Sequence, residues 1–158
     1  MSKLIPLSRN KFSIVDDSDY EWLSAFKWKA NPSNKNSNCY AGRNVSIGGR
    51  TVGIKMHRLI LGARDEDIVD HKNLNGLDNR RENLRIATSQ QNAFNHPIRR
   101  TNTSGYKGVY LNKSRGKWVA QITLNYKTKN LGYFSTREDA AKVRNEAARI
   151  AHGEFYAP

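Results

Sequence analysis

Short-period alternation of hydrophobic and polar positions opens this 158-residue chain, and residues 3–15 (KLIPLSRNKFSIV) predict two short strands. Asp16 to Asp19 then supply an acidic first turn for a helix that carries Tyr20, Leu23 and Phe26 on one face. Trp22 and Trp28 flank that stripe and are assigned to packing against a sheet, not to base stacking. Residues 31–38 (NPSNKNSN) read as a polar loop, and YAGRNVSIGGRTVGIKM after them as a hairpin closed at Gly48-Gly49. From His57 to Asn95 the pattern changes: the segment is dense in His, Asn, Asp and Arg and poor in apolar runs, the composition of a site more than of a core.

Within that segment Val69-Asp70-His71 predicts a strand end, Asn83-Leu84-Arg85-Ile86 a returning strand, and Thr88 to Asn92 the first turns of a helix, with Thr88 and Gln91 in capping-box spacing. Residues 97–104 (PIRRTNTS) break all periodicity and read as a basic linker. Beyond it come three strands, over 106–111, 117–124 and 128–134, then an alanine-rich helix from Thr136 to Ala151. Trp118, Ala120, Ile122 and Leu124 alternate with Lys117, Val119, Gln121 and Thr123, so one face of that strand is core and the other mostly polar. The helix is expected to turn Ala140, Ala141, Val143, Ala147, Ala148 and Ala151 toward the core, with Thr136 as its N-cap and Asp139 as the acidic partner. The fold class is α+β, in two small domains: residues 1–96 (strands and helix in 1–56, the site segment in 57–96) and residues 105–158.

Charge narrows the partners. Lys and Arg number 27 against 14 Asp and Glu, a net charge of +13. The excess is shared: residues 1–100 hold 17 basic and 10 acidic side chains, and residues 101–158 hold 10 and 4. Both parts therefore suit a polyanion, and nucleic acid leads. The single Cys39 excludes an internal disulfide and the Cys pairs of a structural zinc site, which favours a reducing, cytoplasmic setting. No apolar run approaches a membrane span, so no membrane partner is expected.

The chemistry lies in VDHKNLNGLDNRRENLRIATSQQNAFN, residues 69–95. It holds Asp70-His71, Asn83 twelve positions after His71, and Asn92 nine after that. Phosphodiester hydrolysis needs a base for water, a cation for the charge that develops on phosphate and leaving oxygen, and groups that fix both. A neutral imidazole serves as the base near neutral pH. Mg²⁺ needs only one or two carboxylates, with waters and phosphate completing its shell, so Asp70 and an Asn amide oxygen suffice. Arg80, Arg81 and Arg85 either flank the scissile phosphate or form a solvated basic face. His57 is either a hydrogen-bonded core residue or a backbone contact, and His96 and His152 are read as surface.

Residues 57–95 resemble the HNH endonuclease family, in the variant of phage-type and intron-encoded homing endonucleases. The resemblance implies a ββα-metal core with one divalent ion, Mg²⁺ or Mn²⁺, bound by Asp70 and Asn92. It further implies His71 as the general base and Asn83 as the residue that positions the His-bearing loop. The third motif residue is Asn where His is commoner, and Asn95 is the alternative second ligand.

Residues 104–158 carry YKGVY, GKWVAQI, LGYFSTREDAA and AARIAHGEF, and resemble the plant ethylene-response-factor (APETALA-type) DNA-binding domain. That resemblance implies a three-stranded antiparallel sheet laid in the major groove, with one helix packed across its back. Candidate DNA contacts are Lys107, Tyr110, Asn112, Arg115, Lys117, Gln121, Thr123, Lys127 and Lys129, with the basic side chains on phosphate and Gln121 or Asn112 reading base edges. Fewer Arg and no groove-facing tryptophan set this chain apart from the plant pattern. The expectation is a site-specific homing-type endonuclease on double-stranded DNA, nicking as a monomer or cutting both strands as a homodimer. Competing readings are a transcription regulator on a relic HNH fold and a structured-RNA binder.

Overall fold

The computed structural model describes residues 1–33 and 38–156, and the chain divides into two compact units, Met1–Ser89 and Gln90–Pro158. It is a mixed α and β protein with antiparallel sheets.

In the first unit β1 (Ser2–Pro6) pairs antiparallel with β2 (Phe12–Asp16), and α1 (Asp17–Ser24) follows directly. The helix buries Leu23 and Asp19. Phe26 does not share that stripe: the helix has ended before it, and the ring lies exposed with the Arg43 guanidinium 3.9 Å from its centroid. Of the two flanking tryptophans only Trp28 is core, its Nε1 donating to Leu23 O at 2.8 Å, while Trp22 is half-exposed.

A second sheet joins β3 (Lys29–Pro32), β4 (Cys39–Ile47) and β5 (Arg50–Lys55). Asn31 and Pro32, read as loop, belong to β3, and positions 34–37 of that stretch lie outside the described residues. Gly48 and Gly49 close the β4–β5 hairpin at φ 55° and 76°, the left-handed pair that a two-residue turn requires. After α2 (Met56–Leu61) comes a two-stranded ladder of β6 (Ile68–His71) and β7 (Leu84–Ala87), with a 3₁₀ turn at Arg81–Asn83 before β7. Ile5, Val15, Leu23, Trp28, Met56 and Leu84 are among the buried side chains of one cluster that gathers these pieces. Isolated bridging between Ile14 and Asp78 ties the loop before β7 back to β2.

The division between units falls in the first turn of α3 (Ser89–Phe94). In the second unit β8 (Val109–Asn112), β9 (Lys117–Leu124) and β10 (Lys127–Phe134) form an antiparallel sheet in the order β10-β9-β8, and α4 (Arg137–His152) follows. Val109 and Ala120 from the sheet share a cluster with Ala140 and Ala141 from α4, rimmed by Trp118 and Phe134. Thr136 caps α4, its Oγ1 accepting from Asp139 N at 3.1 Å and donating to Asp139 Oδ2 at 2.7 Å.

The buried stripe of α4 differs from the alanine reading. It runs through Ala140, Ala141, Arg144, Ala148 and His152, while Val143 and Ala151 are exposed. Positions four apart stay on one side of a helix, and here two of them are an arginine and a histidine. His152 is thus an interior residue and not a surface one, stacked on Phe94 at 3.6 Å between ring centroids with 6° between the planes. Residues 97–104, read as linker, fall inside the second unit, where buried Ser104 donates from Oγ to Val109 O at 2.8 Å. No helix among the described residues is long and apolar enough to cross a membrane.

Candidate active site

Beside its apolar cluster the first unit also encloses a set of polar side chains. Asp70 and His71 occupy the end of β6, and both are buried. The β6–β7 register sets Asp70 opposite Arg85 and His71 opposite Leu84. Directly opposed residues share a sheet face, so the guanidinium meets the carboxylate: Arg85 donates from Nε at 2.9 Å and Nη2 at 2.7 Å, both to Asp70 Oδ2. Arg85 is itself almost fully enclosed.

His71 lies in an aromatic and amide pocket. Its ring centroid is 5.0 Å from that of His57 and 5.7 Å from that of Tyr40. Its Nε2 is 3.1 Å from Asn79 Oδ1. Burial holds the His71 imidazole below its ordinary pKa, against the opposing pull of the Asn79 hydrogen bond and of Asp70, which favours the neutral ring that a general base needs. His57 is pushed to about 3, first by burial and then by its neighbours His71, Lys55 and Arg58, and its buried Nδ1 has no hydrogen-bond partner among the described residues. His57 is therefore a neutral wall of the pocket, which decides between the two readings of it in favour of the interior one.

The loop from Lys72 to Asn79 is held from inside. Asn83 donates from Nδ2 to Asp78 O at 2.7 Å and accepts at Oδ1 from Asn73 N at 3.0 Å, while its carbonyl accepts from Lys72 N at 2.9 Å. One buried amide thus spans both ends of the loop. Asn73 Nδ2 donates to Asp78 Oδ2 at 2.7 Å, and Arg80 grips the same carboxylate through Nε and Nη2, each at 2.8 Å, holding the Asp78 carboxyl below the usual carboxylate range. Gly76 lets this loop lie on β4: a Cβ there would stand 2.5 Å from Cys39 O and 2.6 Å from the Tyr40 ring.

The three arginines read from the segment are all engaged with carboxylates. Arg80 holds Asp78 and Glu82, Arg81 holds Asp19 through two contacts of 2.7 Å, and Arg85 holds Asp70. Arg85 is enclosed, whereas Arg81 stays half-exposed. Asn92 lies on α3 and is partly buried; Asn95 is buried and falls just past the end of that helix.

In the second unit the strand register sorts the candidate contacts. Tyr110, Asn112, Lys117, Gln121 and Thr123 share the sheet face that carries Val119, opposite the face of Ala120 and Trp118. Asn130 and Thr128 pair with Gln121 and Thr123 and join that face, as does Tyr133, whose ring lies 4.7 Å from the Arg115 guanidinium. Lys129 pairs with Ile122 and Lys127 with Leu124, which places both on the other face. Lys107 points its Nζ at Phe94 O, 3.4 Å away, and burial lowers its pKa.

Comparison with known proteins agrees with this pattern. The profile of the family described as HNH endonuclease matches residues 56–94, from the start of α2 to the end of α3. An uncharacterized HNH endonuclease of Acanthamoeba polyphaga mimivirus is 31% identical over 162 residues, spanning 98% of this chain and 78% of that protein. The chain belongs to the HNH endonuclease family. This HNH protein is also 32% identical over 87 residues to "Protein 3.8" of Escherichia phage T7, covering 55% of this chain and 71% of the phage protein. No solved structure matches it.

HNH nucleases generally depend on a divalent metal. Among the described residues no group of three or more His, Cys, Asp or Glu side chains could hold a metal ion, so a tetrahedral zinc set does not fit. Asp70 offers one buried hard-oxygen donor beside a neutral imidazole, which fits a cation that takes few protein ligands and completes its shell with water and phosphate. The Arg85 guanidinium already balances that carboxylate, so a cation there must share or replace its contact.

Sequence reading missed Asn79, Ser13 and Tyr40 as parts of the pocket. Asn79 looked like one more turn-forming Asn, and its partner Ser13 lies 66 residues away. The near-complete burial of Asn79 gives it away, and burial is not readable from an Asn-rich segment.

Proposed function

We propose that the protein is a DNA endonuclease of the homing type, with a ββα-metal site in which His71 deprotonates the attacking water. The observation that carries this is a buried, neutral His71 at the end of β6, fixed by an amide and adjacent to the Asp70 carboxylate, with the loop that follows it clamped by Asn83. His71 takes a proton as the water oxygen bonds to phosphorus, and the phosphorus–oxygen bond to the leaving nucleotide breaks. Asp70 is the carboxylate that would hold a Mg²⁺ or Mn²⁺ ion, with Asn92 as the second ligand that the HNH resemblance implies and Asn95 as its alternative. The bound ion supplies charge stabilisation for the phosphate and the leaving oxygen. Asn83 acts on the loop and not on the substrate. Arg80, Arg81 and Arg85, each held by a carboxylate, serve to shape the site before they serve to bind phosphate.

The second unit is the DNA anchor of this proposal, in the manner of the APETALA-type domain. Its polar sheet face, with Lys117, Arg115 and Tyr110 beside Gln121, Thr123 and Asn130, suits a groove with phosphates at its edge. Lys127, Lys129 and Lys107 leave that contact set.

The experiment is incubation of supercoiled plasmid with the full chain, in Mg²⁺ or in EDTA. Conversion to nicked or linear DNA only with the metal, and its loss in Asp70→Asn, is expected. Metal-independent conversion would contradict the metal site, and no conversion under either condition would leave the relic-fold regulator as the reading. Binding should weaken steeply as salt rises, because phosphate contacts release counterions.

A further inference from the structure

A general base must present one particular ring nitrogen, and the interior of the first unit determines which. We infer that Asn79 fixes the tautomer of His71, so that Nε2 carries the proton and Nδ1 is the accepting nitrogen. The inference rests on the reading of His71 as the base, but it is a statement about hydrogen-bond polarity.

The polarity begins at Leu77. Its carbonyl can only accept, and Ser13 Oγ lies 3.2 Å from it. Met56 Sδ, also 3.2 Å from Ser13 Oγ, is likewise only an acceptor. The Ser13 proton is therefore spent in that direction, and its oxygen is left to accept. It accepts from Asn79 Nδ2 at 2.7 Å, while the amide nitrogen also faces Met56 Sδ at 3.6 Å. The amide oxygen is thereby the atom turned to His71 Nε2, 3.1 Å away, and an amide oxygen requires a donor.

Reversing the amide would set oxygen against the thioether and draw the Ser13 proton away from Leu77. Ser13, Asn79 and Met56 are all buried, so water does not relieve the contact of oxygen with thioether, and Leu77 O would keep only its bond from Ile14 N. Backbone contacts hold the same frame. Ile14 N donates to Leu77 O at 2.9 Å, and Asn79 N donates to Ile14 O at 2.7 Å, so β2 carries both Ser13 and the anchor of Asn79. Asn79 is thus a positioning residue for His71, acting through the ring.

The test is ¹⁵N-histidine NMR of the full chain at neutral pH, with the His71 signals identified by their loss in His71→Ala. Wild type should show a pyridine-type Nδ1 and a pyrrole-type Nε2; the reverse pattern overturns the inference. Folded Asn79→Ala should show both tautomers and lose about 10²-fold in cleavage rate, and an unchanged single tautomer overturns the role of Asn79. If Asn79→Ala does not fold, Ser13→Ala, which deprives the amide of its acceptor, should show the same mixing, and a single unchanged tautomer there is again contrary. Asn79→Asp should keep the wild-type tautomer, because a carboxylate at that distance also demands a donor; its loss contradicts the inference. Full cleavage by His71→Ala would defeat the general-base reading while leaving the tautomer result standing.

Discussion

The two units use their polar side chains differently, although the second also buries Asn95, Ser104, Arg144 and His152. The first buries Ser13, Asp19, His57, Asp70, His71, Asp78, Asn79 and Asn83 and joins most of them by hydrogen bonds. The second builds its core from Val109, Ala120, Ala140 and Ala141 and turns Lys117, Gln121 and Thr123 away from it. Polar groups in an interior must find partners or cost stability, so the first arrangement is rigid and specific where it is complete. An exposed polar face carries no such obligation, and its residues are individually replaceable. The contrast underlies the proposal of a reaction centre in the first unit and a binding surface in the second.

Ion pairs give the largest expected separation. Arg85→Gln leaves Asp70 buried with its guanidinium contact gone and should cost about 3–5 kcal/mol in denaturant unfolding. Arg149→Gln, which breaks the exposed Arg149–Glu146 pair of α4, should produce no measurable change. Equal effects would dissolve the contrast. Mn²⁺ should restore more stability to Arg85→Gln than it adds to wild type, since the carboxylate then lacks its resident cation.

Next comes packing in the second unit. Ala148 is completely buried on α4, and Ala148→Leu should destabilise that unit by about 1–3 kcal/mol through overpacking. Fluorescence of Trp118, the one tryptophan of the second unit, can be compared with that of Trp22 and Trp28 in the first by Trp→Phe replacement to report which unit has been weakened.

A pH effect of about 1.4 kcal/mol separates the buried histidine from the rest. His57 has its folded pKa lowered to about 3 from 6.5, so the unfolded chain binds the proton first as pH falls. Stability is complete above pH 6.5 and declines from there toward about 3, with about 1.4 kcal/mol lost at pH 5.5. His57→Phe should lack that part of the slope. His152, lowered to about 4 by burial, acts in the same direction, so the difference between variant and wild type isolates His57. The smallest measurable effect is expected from Thr136→Ala, about 1 kcal/mol from loss of the α4 cap.

The same contrast explains what was legible beforehand. Period-two alternation in β9 and the Thr136–Asp139 pattern placed the sheet and helix of the second unit closely, because each depends on neighbours in sequence. Its failures came from residues of the wrong chemical class in an interior stripe, Arg144 and His152, and the side of the sheet that Lys127 and Lys129 take is decided by register alone. In the first unit the local signals put Asp70 and His71 at a strand end and Asn83 at the start of the returning strand, but long-range wiring joins Ser13 to Asn79 and Asp19 to Arg81 across more than 60 residues. No local pattern encodes such partners.

The central claim is that His71 is the base of a metal-dependent cut, and the most direct measurement is the single-turnover cleavage rate of folded His71→Ala beside wild type at saturating Mn²⁺. A fall of about 10²–10⁴-fold with DNA affinity retained is predicted. Cleavage at the wild-type rate would contradict it.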